Sequence, residues 1–217
     1  MLSTTQEVVT LLVVVSAAVD VRAARRGPRW EVYVFKPLTT ALLLALALAA
    51  PPHGAARYQL AVAVGLALSL VGDVFLMLPG DRFAPGLCSF LLAHLAYLVA
   101  FAADVPLAAA PVLFAPFALF GLAILALLWR GLGRLRVPVA LYVLVIVSMA
   151  GQAVGRAWLL RNPAATLAAS GAALFVVSDT LLSVNRFRQP LPSAQTLILG
   201  SYFLAQWLIA VSVSAPV

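Results

Sequence analysis

Apolar stretches about as long as a membrane-spanning helix follow one another along almost the whole chain. A helix needs about 20 mostly apolar residues to cross the hydrocarbon core of a bilayer. Eight stretches approach this length, at residues 6–21, 32–50, 58–78, 87–103, 107–129, 137–155, 164–184 and 193–214. The connections are short and contain turn-forming pairs such as Pro51-Pro52 and Pro79-Gly80. The sequence therefore predicts one domain over residues 1–217, an all-α, polytopic membrane bundle of eight transmembrane helices.

Composition excludes the other broad classes. Hydrophobic residues make up 64% of the chain and charged residues only 10%, whereas soluble domains have about 25% charged residues. The mean hydropathy is +1.08. A transmembrane β-barrel would contain segments of about ten residues with alternating polarity, and the run at residues 41–50 does not alternate. Cys88 is the only cysteine, so an internal disulfide and a cysteine metal cluster are both excluded.

The basic residues predict the orientation of the bundle. If the N-terminus lies outside, Arg57, Arg156 and Arg161 also lie outside. The other basic residues then lie on the cytoplasmic side: Arg22, Arg25, Arg26, Arg29, Lys36, Arg82, Arg130, Arg134, Arg136, Arg186 and Arg188. Basic residues are enriched in cytoplasmic connections, so both termini are predicted to lie outside. The net charge of +7 is interpreted as an orientation signal and an attraction to anionic lipids, with no nucleic-acid partner.

Two aspartates lie inside long apolar stretches with similar surroundings. Asp73 occurs in LVGDVFLML and Asp179 in VVSDTLLSV. An ionised carboxylate in hydrocarbon costs on the order of 3 kcal/mol, so intramembrane aspartates usually have a function. Each lies five residues before the predicted cytoplasmic end of its stretch, about 7 to 8 Å deep. We interpret the pair as the centre of a functional site, and the alternative is a structural hydrogen bond between helices.

Further polar residues are predicted to lie near this depth. Lys36 and His94 lie about 6 and 10 Å from the predicted starts of their stretches. Helical spacing places Tyr97 on the face of His94, and Gln206 on the face of Tyr202. The sequence thus predicts one polar pocket that collects these side chains. The alternatives are a snorkelling cation for Lys36 and a core histidine for His94.

Two aspartates and a histidine could also bind a metal ion. No pair among them has the spacing of a known ligand motif such as HExxH. The sequence therefore predicts neither a metal site nor a cofactor.

A weak internal repeat relates the two halves of the chain. The third and seventh stretches both contain a small residue, then Asp, then an apolar run. The fourth contains FLLAHL where the eighth contains YFLAQWL, which aligns His94 with Gln206. Two parallel four-helix repeats, related by an axis along the membrane normal, would place both aspartates in the same leaflet.

A series of motifs resembles the YhhN family of eight-helix membrane proteins, which includes the lysoplasmalogenases. In order, the motifs are KPLTTALLLALALA, LVGDVFLML, FAPGLCSFLLAHLAYLVAF, VVSDTLLSVNRF and SYFLAQWLI. The resemblance implies a bacterial cell membrane protein that hydrolyses the sn-1 vinyl ether of a lysoplasmalogen to a fatty aldehyde and a glycerophospho-alcohol. The positions that match the family pattern are Lys36, Gly72, Asp73, His94, Ser178, Asp179 and Asn185.

The residue types suit this chemistry. Cleavage of a vinyl ether needs a proton donor to carbon and a base or anion that stabilises the resulting cation and orients water. Asp73 and Asp179 are predicted to supply both roles, with the more desolvated carboxyl group as the acid and His94 as a proton relay. The predicted substrate-binding residues are Lys36, Tyr97, Asn185, Arg186, Tyr202 and Gln206. The alternative for Asn185 is a helix cap.

Two other functions fit the same residues. Intramembrane carboxyl groups also form proton or cation pathways, so a small transporter is the main alternative. A lipid-binding protein without turnover would retain the pocket and tolerate Asp to Asn changes.

Overall fold

A computed structural model describes residues 4–50 and 56–215 and contains eight α-helices. They are α1 (Thr4–Arg26), α2 (Arg29–Ala49), α3 (Ala56–Met77), α4 (Phe83–Phe101), α5 (Ala115–Leu128), α6 (Arg136–Leu160), α7 (Pro163–Phe187) and α8 (Ala194–Val211). Short 3₁₀ turns, Pro111–Phe114 and Gly133–Leu135, precede α5 and α6. No strand occurs in the described residues. The predicted all-α fold is confirmed.

Seven helices of the described chain, α2 to α8, are long and apolar enough to cross a membrane. The 3₁₀ turns extend the spans of α5 and α6 to Pro111–Leu128 and Gly133–Leu160. A polytopic membrane bundle is therefore confirmed, and α1 as an eighth span stays a prediction. α7 continues to Phe187, three residues beyond the predicted stretch, so Asp179 lies about 12 Å from the helix end.

Small residues allow the closest helix packing. A Cβ on Gly65 of α3 would lie 2.3 Å from Cε1 of Tyr97 on α4. A Cβ on Gly171 of α7 would lie 2.8 Å from the carbonyl oxygen of Ala205 on α8. Membrane helices commonly approach one another at such small residues. The pairs α3–α4 and α7–α8 are thus held together in corresponding positions of the two halves.

Helix neighbours also correspond between the halves. α2 packs on α3 and α8, and α6 packs on α7 and α4. Exchanging the first four helices with the last four converts one set of contacts into the other. This arrangement agrees with the predicted parallel repeat, and it surrounds α3 and α7 with equivalent helices.

The connections α1–α2, α3–α4, α5–α6 and α7–α8 form one end of the bundle, here called the basic end. Phe83 and Phe187 pack edge to face there, with ring centroids 5.4 Å apart. Arg186 Nη2 lies 2.5 Å from Asp81 Oδ2 and joins the end of α7 to the α3–α4 connection. Most of the predicted cytoplasmic basic residues are at this end.

The opposite end contains a buried polar cluster. Arg156 Nη2 donates to Asp104 Oδ2 at 2.7 Å, and its guanidinium lies 4.6 Å from the ring centroid of Tyr58. The Tyr58 hydroxyl forms a 2.6 Å hydrogen bond with Ser212. Gln152 Nε2 donates to backbone carbonyl groups of residues 101, 105 and 106. These contacts attach the α4–α5 connection to α6.

Removal of one member of this ion pair is expected to destabilise the protein. Arg156 is 2% exposed, and breaking a buried pair costs about 3 kcal/mol because the remaining charge has no partner. Asp104→Asn should therefore lower the free energy of unfolding by about 3 kcal/mol. Unfolding by sodium dodecyl sulfate in mixed micelles, with the exposed Glu7→Gln as control, measures this. Equal stability of both variants would contradict the prediction.

Candidate active site

Asp73 is buried on α3, where three donors from two other helices converge on its carboxyl group. The hydroxyls of Thr40 and Tyr202 each donate to Oδ2 at 2.7 Å. Lys36 Nζ lies 3.4 Å from Oδ1. The side chain of Asp73 is 1% exposed. Such donors satisfy a buried carboxylate that would otherwise be very costly.

Asp179 on α7 has a different environment. Tyr142 of α6 donates its hydroxyl to Oδ2 at 2.5 Å, and Nε2 of His94 on α4 lies 3.8 Å from the same oxygen. The Asp179 side chain is 18% exposed. His94 is fully buried between the rings of Tyr142 and Phe175, and both of its ring nitrogens lack a hydrogen-bond partner. A small movement would bring it into hydrogen-bond contact with Asp179, since catalytic hydrogen bonds are often long in unliganded sites.

The four predicted ionisable groups therefore form two pairs, Lys36 with Asp73 and His94 with Asp179. Asp73 contacts α2 and α8, whereas Asp179 contacts α6 and α4, as the repeat would relate them. An aromatic layer of packed rings adjoins both pairs: Phe90, Phe175 and Tyr202. The structure divides the predicted single pocket into two adjoining sites.

The residue before each aspartate holds a neighbouring helix. A Cβ on Gly72 would lie 2.7 Å from the ring of Phe90, so glycine allows α4 to approach Asp73. Ser178 Oγ donates to the carbonyl oxygen of Ile198 on α8 at 3.0 Å. Both residues thus have packing roles next to the carboxyl groups.

A cavity of about 490 Å³ opens near the basic end. Lys36, Asp73 and Tyr202 line it, and Asp81, Arg82 and Arg186 lie along it as well.

A second cavity, of about 40 Å³, is lined by Asp179, Tyr142, Ser183 and apolar side chains. The two cavities share four wall residues: Leu76, Phe83, Phe90 and Leu182. Each carboxyl group therefore lines its own cavity, and the cavities meet at a common wall.

The predicted substrate-binding residues fall into two groups. Lys36, Asn185, Arg186 and Tyr202 line the larger cavity. Tyr97 and Gln206 form a buried chain behind it: the Tyr97 hydroxyl donates to Gln206 Oε1 at 2.6 Å, and Gln206 Nε2 donates to the Tyr202 hydroxyl at 3.3 Å. Tyr202 in turn donates to Asp73. This chain of hydrogen bonds therefore orients the Tyr202 hydroxyl toward the Asp73 carboxyl group.

Asn185 also serves the local fold. Its Oδ1 accepts a 2.9 Å hydrogen bond from the Leu191 amide, which ties the last turn of α7 to the α7–α8 connection. The predicted alternative of a cap is thus compatible with a position on the cavity wall.

Two residues that contact the carboxyl groups, Thr40 and Tyr142, were not predicted from the sequence, and neither was the burial of Asp20 on α1. Thr40 lies one turn after Lys36, and this i, i+4 spacing was a usable signal. Asp20 lies near the end of the first apolar stretch, where an acidic residue is expected to face water, yet it is fully buried. Tyr142 has no polar neighbour at helical spacing on its own helix, so only the tertiary structure reveals it.

Within residues 4–50 and 56–215, no group of three or more His, Cys, Asp or Glu side chains is arranged to hold a metal ion.

The fold and site define an integral membrane protein with two intramembrane carboxyl groups at adjoining cavities. The chain belongs to the YhhN family, whose family model matches residues 32–213. It is 34% identical over 203 residues to the uncharacterized membrane protein YhhN of Escherichia coli O157:H7, which covers 92% of this chain and 95% of that protein. No solved structure matches the chain.

Animal relatives have a named activity. The chain is 32% identical over 193 residues to lysoplasmalogenase TMEM86B of Sus scrofa, covering 86% of this chain and 77% of the relative. It is 37% identical over 157 residues to human lysoplasmalogenase TMEM86A, covering 69% and 63% respectively. The family resemblance in the sequence motifs is therefore confirmed.

Proposed function

We propose that this protein is a membrane hydrolase that cleaves the sn-1 vinyl ether of lysoplasmenylethanolamine or lysoplasmenylcholine. The observation that carries the proposal is the position of Asp73 and Asp179 on two adjoining cavities with a common wall. The relatives named lysoplasmalogenase support a hydrolase of this kind.

The larger cavity suits the polar part of a lysophospholipid. Its volume of about 490 Å³ is within the usual range of small-molecule sites, about 300 to 1,000 Å³. Lys36, Arg82 and Arg186 line it and would bind the phosphate through charge-assisted hydrogen bonds. We propose that the basic end faces the cytoplasm, because basic residues are enriched on that side.

The smaller cavity suits the start of the hydrocarbon chain. Apart from Asp179, Tyr142 and Ser183, its lining is apolar. Asp179 and Ser183 also line a slot between α5, α6 and α7, beside Gly121 and Val147. The chain would extend along this side toward the bilayer, which places the vinyl ether at the wall between the two carboxyl groups.

The hydrogen bonds support a different role for each carboxyl group. Burial alone would make Asp73 the acid, since it is less exposed than Asp179. However, a proton on Oδ2 of Asp73 would face two donating hydroxyls, and a proton on Oδ1 would face the Lys36 ammonium. Asp73 is therefore assigned as the carboxylate. Asp179 accepts one hydrogen bond, from Tyr142, and is assigned as the acid.

The reaction then follows general acid and base catalysis. Asp179 protonates the alkenyl carbon that is not bonded to oxygen, and the ether carbon becomes part of an oxocarbenium ion. The Asp73 carboxylate stabilises this cation and removes a proton from the attacking water, as in glycoside hydrolysis. The resulting hemiacetal collapses to the fatty aldehyde and the glycerophospho-alcohol, so one water is consumed. The proton on Asp73 returns to Asp179 through solvent. His94 lies next to Asp179, where it would relay this proton.

Release of fatty aldehyde from defined lysoplasmenylethanolamine and lysoplasmenylcholine by the purified protein tests the proposal. The matched control substrate is the saturated 1-alkyl ether, which cannot form the cation by protonation and should remain intact. The assay is repeated with a chelator, since the mechanism needs no metal. Folded protein that releases no aldehyde from either head-group class would contradict the proposal, and proton flux in liposomes would then test the transporter alternative.

Arg186 is expected to contribute to substrate binding more than to the chemical step. It lines the larger cavity and pairs with Asp81, so the substrate phosphate would replace Asp81 as the partner of its guanidinium. Arg186→Gln should raise KM about tenfold with little change in kcat, as loss of one charge-assisted hydrogen bond predicts. Arg161→Gln, an exposed arginine at the opposite end, is the control. An unchanged KM would remove Arg186 from the binding site.

A further inference from the structure

α1 contains a buried carboxyl group that the proposed mechanism does not use. Asp20 is fully buried, and neither of its oxygens has a hydrogen-bond partner. It precedes residues 32–213, the part matched by the family model. A buried carboxyl group without donors is costly to the fold. Its presence in a chain with so few acidic residues therefore needs a reason other than stability.

The packing of α1 on α2 directs Asp20 toward the Lys36 and Asp73 pair. Ser16 Oγ forms hydrogen bonds with Thr39 Oγ1 at 2.7 Å and with the Phe35 carbonyl oxygen at 3.3 Å. Asp20 lies one turn after Ser16, on the same face of α1. The charged groups that act on its carboxyl group are Lys36 and Asp73. Lys36 is thus a cation that interacts electrostatically with both carboxyl groups.

The position of Lys36 is consistent with this sharing. Its Nζ lies 3.4 Å from Asp73 Oδ1, longer than the 2.7 to 2.9 Å of a charge-assisted hydrogen bond. Lys36 lines the 490 Å³ cavity beside Asp73 and also a third cavity, of about 540 Å³, near the basic end. Its ammonium is therefore close to Asp73 without being fully paired, and it remains accessible from the cavities.

We propose that Asp20 is a positioning residue of the active site that acts through Lys36. Its carboxyl group draws the Lys36 ammonium away from a full ion pair with Asp73. Lys36 thereby stays available to the substrate phosphate, and Asp73 keeps its capacity to accept a proton. The functional consequence rests on the proposed hydrolase function, whereas the link between Asp20 and Lys36 does not.

Asp20→Asn separates this role from a structural one. Because Asp20 accepts no hydrogen bond, asparagine should leave the unfolding midpoint unchanged or raise it. The expected kcat/KM is between about ten- and a hundredfold lower, since Lys36 moves toward Asp73. Asp20→Glu should retain most of the activity, and Glu7→Gln on the same helix is the matched control. Wild-type kcat/KM in Asp20→Asn would overturn the proposal, as would a lower unfolding midpoint with unchanged activity per folded molecule.

A double-mutant cycle tests the route through Lys36. In a Lys36→Met background, Asp20→Asn should have little further effect on kcat/KM, and independent effects would overturn the proposal. Unfolding midpoints of the same four proteins give a readout that needs no substrate. If the wild type releases no aldehyde, the hydrolase function fails, and non-additive midpoints would still support the Asp20 and Lys36 link. Additive midpoints would overturn that link.

Discussion

Asp73→Asn is expected to lower kcat for aldehyde release by at least about a thousandfold, within the range that general acid and base groups contribute. Asparagine has nearly the same volume and can still accept from Thr40 and Tyr202, the two hydroxyls that donate to Asp73. It cannot accept the proton of the attacking water, and its neutral amide does not stabilise the cation. The fold should therefore persist while turnover is lost.

The matched control is the same substitution at the other end of the bundle. Asp104→Asn removes the partner of Arg156, far along the bundle from the basic end. We expect this variant to be less stable but fully active per folded molecule. Asp73→Asn should show the opposite pattern in the two assays, unfolding in mixed micelles and aldehyde release. Activity within tenfold of wild type in Asp73→Asn would exclude Asp73 as the base of the mechanism.

Asp179→Asn should produce the second large loss, between about a hundred- and ten-thousandfold in kcat. The amide cannot donate a proton to carbon, whereas the larger cavity and its cations are unchanged, so KM should change little. Proton transfer to carbon is the slow step in this mechanism, so the wild type should also react more slowly in deuterium oxide. Steady-state kinetics in both solvents measure these effects.

Tyr142→Phe gives a second, milder variant at the same group. It removes the hydroxyl that orients Asp179 and should reduce kcat about tenfold through loss of alignment. Tyr58→Phe also removes a buried tyrosine hydroxyl, one bonded to Ser212 at the opposite end, and should leave kcat unchanged. For the stronger of the two variants at this group, Asp179→Asn, a kcat equal to that of the wild type would exclude Asp179 as the acid.

Much of the candidate site could be predicted because charge inside an apolar stretch is conspicuous. Asp73, Asp179, Lys36 and His94 were all identifiable in this way, and the structure places each beside another of them. The buried chain from Tyr97 through Gln206 to Tyr202 was only partly visible. Helical spacing predicts that Tyr202 and Gln206 share a face of α8. The hydrogen bond from Tyr97 on α4 to Gln206 depends on how the two helices pack.

The sequence by itself determined the class of protein, the positions of the apolar helices and the family. Length and hydropathy are sufficient for this, because a bilayer requires about 20 apolar residues per span. Helix ends were less accurate: α7 continues to Phe187 and a 3₁₀ turn precedes α5. Such ends depend on local hydrogen bonds, including the one between Asn185 and Leu191.

Only the tertiary structure decided which way each helix faces. A helix that is apolar on all sides has no amphipathic pattern from which its rotation can be read. Close packing at Gly65, Gly72 and Gly171 helps to set that rotation. It turns Asp73 toward α2 and α8, and Asp179 toward α6 and α4. The same packing buries Asp20 and separates the predicted pocket into two. Steric fit between small and large side chains is a property of pairs of helices, so a single helix sequence does not reveal it.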